Sequence, residues 1–336
     1  MKNNRDIFTL VGILVAAFCL LGFNLYLGEV RINFGTIVDL LGGGTAENAS
    51  WSYTIENRLN RSLVAFSGGG ALALSGLILQ VFFRNPLAGP GVLGISSGAS
   101  LGVATVILGG VGMSSLLGNL GLISAGIIGA LGVLILLLII SRLISSSITL
   151  LVVGLMFGYF TSSLINVLFQ WASESDTREY VIWGLGSFEG LNGKEGWFFL
   201  VGVLMISLLT VFLIKPLNAL VLGTSYAGSL GVNLKRSRLL IIIICGILTA
   251  VVTVYCGPVS FIGIAVPQII RFIVRSKNHL LILPITFLAG SALALLADIT
   301  VRLSGNALPL NTVTALIGAP IIVWTIIRMN KTGAKV

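Results

Sequence analysis

Apolar runs of near-span length alternate with short polar breaks along this chain, at about 7–28, 62–83, 92–111, 120–141, 147–169, 197–214, 239–257, 261–275, 280–298 and 312–328. About 20 apolar residues at roughly 1.5 Å each cross a hydrocarbon layer of about 30 Å. The pattern therefore predicts an all-α integral membrane protein with about ten transmembrane helices, the run at 261–275 being the shortest. The first run, Ile7 to Leu27, is too long for a signal-peptide core and has no clear cleavage site, so it reads as a true span.

One stretch breaks the rhythm. Lys215 to Arg238, KPLNALVLGTSYAGSLGVNLKRSR, is too polar and glycine-broken to span lipid. It is also too apolar for a free linker, because Leu217, Leu220, Leu222, Ala227 and Leu230 need a covering surface. It predicts two short helices, about Leu217–Leu222 and Ser225–Leu230, punctuated by Gly223, Gly228 and Gly231. This reads as a knuckle gripped by another protein. Two segments of the opposite side, 29–60 and 171–196, exceed turn length. The first holds an amphipathic piece, Phe34–Leu41, and the second carries Trp171, Tyr180 and Trp183, aromatics suited to the headgroup level. No linker divides the chain, so residues 1–336 read as a single transmembrane domain. The broken turns NPLAGPG (85–91) and GPVSFIG (257–263), both expected near a membrane surface, suggest an inverted repeat.

Composition narrows the class. The chain is 56% hydrophobic and 9% charged, against about 25% charged in soluble domains. The net charge of +9 does not form a nucleic-acid patch, because the basic residues sit between spans. With the N-terminus inside, 14 of the 20 basic residues fall inside with only one acid, Asp6. That bias places both termini in the cytoplasm. Gly94, Gly98 and Gly102 share a helical face that admits a neighbouring backbone. Cys245 and Cys256 lie in one predicted helix about 16 Å apart, so no disulfide joins them. His279, the only histidine, has no neighbouring cysteine or acid in sequence, and no metal site is expected. GISSG at 94–98 lacks the strand–turn–helix setting of a hydrolase nucleophile. No GxxxxGK[ST] occurs, so ATP and Mg would be bound by a partner chain. An ion-coupled secondary transporter would need acids or histidines within its spans. Asp298 is the one candidate, and Arg302 at i+4 reads as its local ion-pair partner.

RNPLAGPGVLG, LGTSYAGSLGVN, GPVSFIGIAVPQIIRFIV, LLADITVR and LPLNTVTALIGAPIIVW, in this order over nearly the whole chain, resemble the FecCD family of ABC-importer permeases. That family includes vitamin B12, iron-siderophore and haem permeases. The resemblance implies a type II ABC importer permease fold and a non-catalytic subunit of a bacterial cytoplasmic membrane. Its partners would be a second permease subunit, identical or homologous, two ABC ATPase subunits and an extracytoplasmic substrate-binding protein. Alternating access would carry a ferric siderophore, a Fe(III)-hydroxamate being one guess, with haem or cobalamin as alternatives.

The same resemblance assigns roles. Arg58, Arg61 and Arg302 would meet the binding protein as exposed charges. Asn218, Leu222, Gly223, Ala227, Leu230 and Gly231 would form the coupling helices, with Leu222, Ala227 and Leu230 burying apolar surface against the ATPase. Ser145, Ser146 and Ser147 would form a cytoplasmic gate, where the residues alone equally suggest a helix N-cap. Ser162, Ser163, Asn166 and Gln170, on a 3–4 spacing, would line the translocation path with the last span; interhelical hydrogen bonding is the residue-level alternative. The chain departs from the family's usual pattern at Asn60, Asn278 and Asn311.

Overall fold

The computed structural model describes residues 2–28, 30, 32–42, 44, 49–110, 116–144, 146–191 and 193–332. Glu29, Arg31 and the candidate Ser145 lie outside them. The described residues form helices α1 (Lys2–Tyr26), α2 (Phe34–Leu41), α3 (Ala49–Phe83), α4 (Ile95–Ile107), α5 (Leu116–Leu143), α6 (Ser147–Phe169) and α7 (Glu174–Gly184). They continue as α8 (Glu195–Leu208), α9 (Ile214–Leu222), α10 (Thr224–Ser229), α11 (Leu234–Cys256), α12 (Ile262–Ile273), α13 (His279–Leu303) and α14 (Leu310–Thr332). Among the described residues, seven helices are long and apolar enough to cross a membrane, and α4, α12 and the apolar part of α14 are shorter. Together they reproduce the order of the apolar runs.

α3 is the axis of the bundle. It is enclosed almost end to end and packs against α13, α11, α12 and α8. Its 35 residues extend well before the apolar run, so Arg58 and Arg61 sit inside a helix rather than at its start. Without a hydrophobic force between helices in lipid, association relies on close packing of small residues. A Cβ on Gly102 of α4 would stand 2.0 Å from the Ala125 carbonyl of α5, and one on Gly129 of α5 would stand 2.1 Å from the Gly98 carbonyl. The shared glycine face is therefore filled by backbone. Gly94 differs: it precedes α4 with φ +73° and lies against Gly154 of α6.

The two broken turns meet through buried residues, while Leu87, Gly91 and Ser260 stay exposed. Pro90, Leu93, Ile262 and Gly263 are buried, and a Cβ on Gly263 would meet the Pro90 ring at 2.4 Å. The turns therefore touch each other inside the bundle. Two buried glutamines satisfy the freed backbone groups. Gln268 Nε2 donates to the Pro86 carbonyl (2.6 Å) and to Gln80 Oε1 (3.1 Å), and Gln80 Nε2 donates to the Ile264 carbonyl (3.2 Å). Asn311, at the start of α14, secures the second turn. It accepts from the Ser260 N–H (3.0 Å) and donates to the Pro258 and Gly184 carbonyls.

Apart from the contacts of the turns, those that involve charged groups lie at two ends of the bundle. At one end Asp6 of α1 accepts from the Arg275 N–H, and the α9–α10 hairpin adjoins Arg84 and His279. At the other end Asn24, near the far terminus of α1, reaches Asp298.

A Cβ on Gly76 would fall 1.7 Å from the Gly263 carbonyl, whereas Gly12 meets nothing within 4 Å. Gly76→Val should therefore cost at least about 3 kcal/mol through overpacking, and Gly12→Val less than about 0.5 kcal/mol. Thermal unfolding in detergent checks both.

Candidate functional site

At the end opposite the hairpin, three expected residues converge. Arg58 and Arg61 of α3 and Arg302 of α13 line one cavity of about 430 Å³. They are not the exposed charges that were expected: the Arg61 and Arg302 side chains are only 9% and 8% accessible. The reason is Asp298, 1% accessible, which binds three elements at once. Its Oδ1 accepts from Arg61 Nε at 2.6 Å, and its Oδ2 lies 3.2 Å from Arg302 Nε and accepts from Asn24 Nδ2 at 3.1 Å. The expected i+4 pair with Arg302 is thus present as one arm of a larger hub. Arg302 Nη1 also donates to the Asn24 and Leu27 carbonyls. Arg58 donates to the carbonyls of Leu25, Tyr26 and Val30. Glu189, whose side chain is 54% accessible, pairs with Arg61 from the solvent side. Three guanidiniums thus face two carboxylates, leaving net positive charge in a cavity open to solvent. The Arg302 Nη2 group remains buried without an acceptor among the described residues.

The knuckle forms as a helical hairpin. Pro216 falls in the first turn of α9, where a missing N–H costs nothing. Gly223, at φ +123°, makes the reversal into α10, and Gly231, at φ +78°, ends it. Leu222, Tyr226 and Leu230 are exposed, and Leu222, Leu230 and Gly231 border a cavity of about 830 Å³. One assignment needs correction. Ala227 is fully buried within this chain, so it holds the hairpin together rather than offering surface. Asn218 is engaged internally: its Oδ1 accepts from the His279 N–H (2.9 Å), lies 2.7 Å from His279 Nδ1, and its Nδ2 donates to Asn278 Oδ1 (3.3 Å). Because that amide oxygen can only accept, the histidine hydrogen sits on Nδ1.

The turn between α5 and α6 lies at the same end. Ser146 is the N-cap of α6, its hydroxyl accepting from the Thr149 N–H, and Ser147 begins the helix, half-buried. Sequence reasoning missed what holds this turn. Arg238, one turn into α11, donates to the carbonyls of Ser141 and Ile144 and lies over the Phe82 ring. Its basic neighbours Lys235 and Arg236 masked it as one more topological charge.

Ser162, Ser163, Asn166 and Gln170 are all exposed on α6. The Ser163 hydroxyl donates back to the Tyr159 carbonyl (3.0 Å). The same helix exposes Leu155, Met156, Tyr159 and Phe160, so its mixed face is free of this chain's own core. Among the described residues no cluster of three or more His, Cys, Asp or Glu could hold a metal ion.

The model of the FecCD transport family matches residues 13–328. The chain is 36% identical over 279 residues to the vitamin B12 import system permease protein BtuC of Salmonella typhi, covering 81% of this chain and 82% of that protein. It is 37% identical over 283 residues to the protein of the same name from Klebsiella pneumoniae subsp. pneumoniae, covering 82% of each. A solved structure described as "An inward-facing conformation of a putative metal-chelate type ABC transporter" superposes with TM-score 0.82 at 29% identity, over 96% of this chain and 99% of that one.

Asp298→Asn leaves buried Arg302 without a carboxylate and Arg61 with the half-exposed Glu189 alone, and should cost about 3–5 kcal/mol. Glu189→Gln, at a half-exposed partner, should cost less than about 1 kcal/mol. Unfolding midpoints of the two variants measured side by side check this ranking.

Proposed function

The chain belongs to the FecCD transport family, and on that premise we propose that it is the membrane-spanning permease subunit of a binding-protein-dependent ABC importer. It catalyses no reaction itself. Two copies, or one copy and a homologue, enclose the translocation path, two ATPase chains sit below, and a binding protein delivers cargo from above. The observation that carries this reading is the α9–α10 hairpin. On a short helical projection beyond the spans, Leu222, Tyr226 and Leu230 stand exposed as an apolar patch that suits a covering protein. Basic residues gather at the hairpin end, which supports its being cytoplasmic, with both termini on that side.

In this mechanism the ATPase grips the hairpin through Leu222, Tyr226 and Leu230, while Gly223 and Gly231 set the bends. Nucleotide-driven closure moves α9 and α11, which continue into the membrane. Ser146 and Ser147 stand at the turn that would close the path inside, with Ser145 between α5 and the cap. Ser162, Ser163, Asn166 and Gln170 offer the polar side of α6 to a path completed by the second subunit. At the outer end, an acidic group of the binding protein approaches Arg58, Arg61 and Arg302 by competing with Glu189 for Arg61. This gives orientation more than affinity.

The cargo we propose is a metal chelate, a ferric siderophore in the first instance. Cobalamin is the second reading, favoured by the relatives named for vitamin B12 import. ATPase stimulation of the reconstituted complex by a panel of loaded binding proteins separates the two. Stimulation by a cobalamin-loaded protein alone would exclude the siderophore reading, and cargo uptake without any ATPase would overturn the importer assignment.

Burial of one leucine stabilises a contact by about 1.5–3 kcal/mol. Leu222→Asp with Leu230→Asp should therefore abolish co-purification of the ATPase while leaving the protein inserted. Gly231→Trp should insert normally and fail to stimulate ATP hydrolysis. Normal stimulation in both variants would argue against the hairpin as the contact.

A further inference from the structure

A second cavity, of about 530 Å³, opens at the hairpin end between α3, α9, α12 and the start of α13. Arg84, Arg271, Arg275 and Lys277 line it, together with His279. None of these four cations is ion-paired among the described residues; the ion pairs of Arg61 and Arg302 with Glu189 and Asp298 lie at the opposite end of the molecule. Arg84 gives one contact, to the Leu220 carbonyl at 3.5 Å. The carboxylate that touches the rim, Asp6, accepts from the Arg275 backbone N–H rather than from a guanidinium. The walls between the cations are apolar, formed by residues such as Leu77 and Ile270. Like charges gathered around an apolar-walled cavity repel one another unless an anion joins them.

The depth of the cavity indicates the source of that anion. Arg84 follows the last residue of α3, Arg271 lies in the last turn of α12, and Arg275 and Lys277 lie in the connection to α13. All four therefore stand where apolar helices end. Beside them Phe272 of α12 and Trp324 of α14 pack at 5.2 Å between ring centroids, and Arg328 stacks over both rings. An exposed tryptophan beside a stacked arginine is the signature of the headgroup layer. Negative helix ends of α3 and α12 hold the guanidiniums in place.

We propose that this cavity binds the phosphate of an anionic lipid headgroup. The guanidiniums of Arg84 and Arg271 grasp phosphate oxygens, Arg275 and Lys277 close the rim, and an acyl chain lies along the apolar wall. Bound there, the lipid joins α3 and α12 to α9 through the Arg84–Leu220 contact, which puts it in touch with the hairpin.

The test uses the complete transporter, permease with its ATPase, purified in detergent and examined by native mass spectrometry after exposure to phosphatidylglycerol or phosphatidylcholine. Retention of one phosphatidylglycerol per permease chain, and of no phosphatidylcholine, is expected. Arg271→Gln with Arg275→Gln should weaken retention about 25-fold, and Lys277→Gln about fivefold, since each cation near the surface contributes about a factor of five. Lys277 is exposed in a connection, so its variant keeps the fold, and Arg271→Lys should restore most of the retention. Binding of inorganic phosphate by the delipidated transporter, lost in the double variant and without lipid retention, would support the phosphate site and assign it to a soluble anion. Equal phosphatidylglycerol retention by wild type and both glutamine variants would overturn the proposal. So would retention by the free permease that disappears once the ATPase binds, which would assign the cations to an acidic protein surface.

Discussion

A backbone that breaks inside a membrane must find its hydrogen bonds in the protein, because lipid supplies none. Much of this architecture follows from that constraint. Two helices, α4 and α12, begin after Gly/Pro-rich turns. Gln268 serves the first turn at Pro86, Asn311 the second at Pro258, and Gln80 the first turn of α12 at Ile264. The two turns then pack on each other through Pro90 and Gly263. Tight glycine contacts along α3 are what allow that inner layer to fit, since any side chain at Gly76 would push α12 away.

Satisfaction at the core contrasts with incompleteness at the periphery. α6 presents serines, an asparagine and a glutamine beside bare leucines and aromatics, and the hairpin presents three large apolar side chains. These two faces, like the exposed apolar faces of α1, α5 and α8, are left open by this chain to lipid or to a neighbouring chain.

The spans were legible in the sequence because length and apolarity alone define them. The hairpin was legible because its glycines interrupt an otherwise apolar segment. Long-range polar partners were not legible. Nothing local in the sequence links Asn24 to Asp298, or Gln80 to Gln268, across separations of 274 and 188 residues. The three asparagines that depart from the family pattern are instructive here. Asn311 ties the turn before α12, Asn278 caps α13 and bonds Asn218, and Asn60 is buried where α3 meets Gly196. Each departure answers to a contact made far away in the chain. The exposure expected of Arg58, Arg61 and Arg302 failed for the same reason: their partners, the Asp298 carboxylate for Arg61 and Arg302 and the Leu25, Tyr26 and Val30 carbonyls for Arg58, are not signalled locally.

The clamp made by Arg238 has a mechanical meaning. α11 rises directly from the hairpin at Asn233, and within its second turn the guanidinium takes hold of the Ser141 carbonyl in the last turn of α5 and of the Ile144 carbonyl just after it. The hairpin and the serine turn are thereby joined through the first turns of α11, one by chain continuity and the other by a guanidinium that holds two carbonyls.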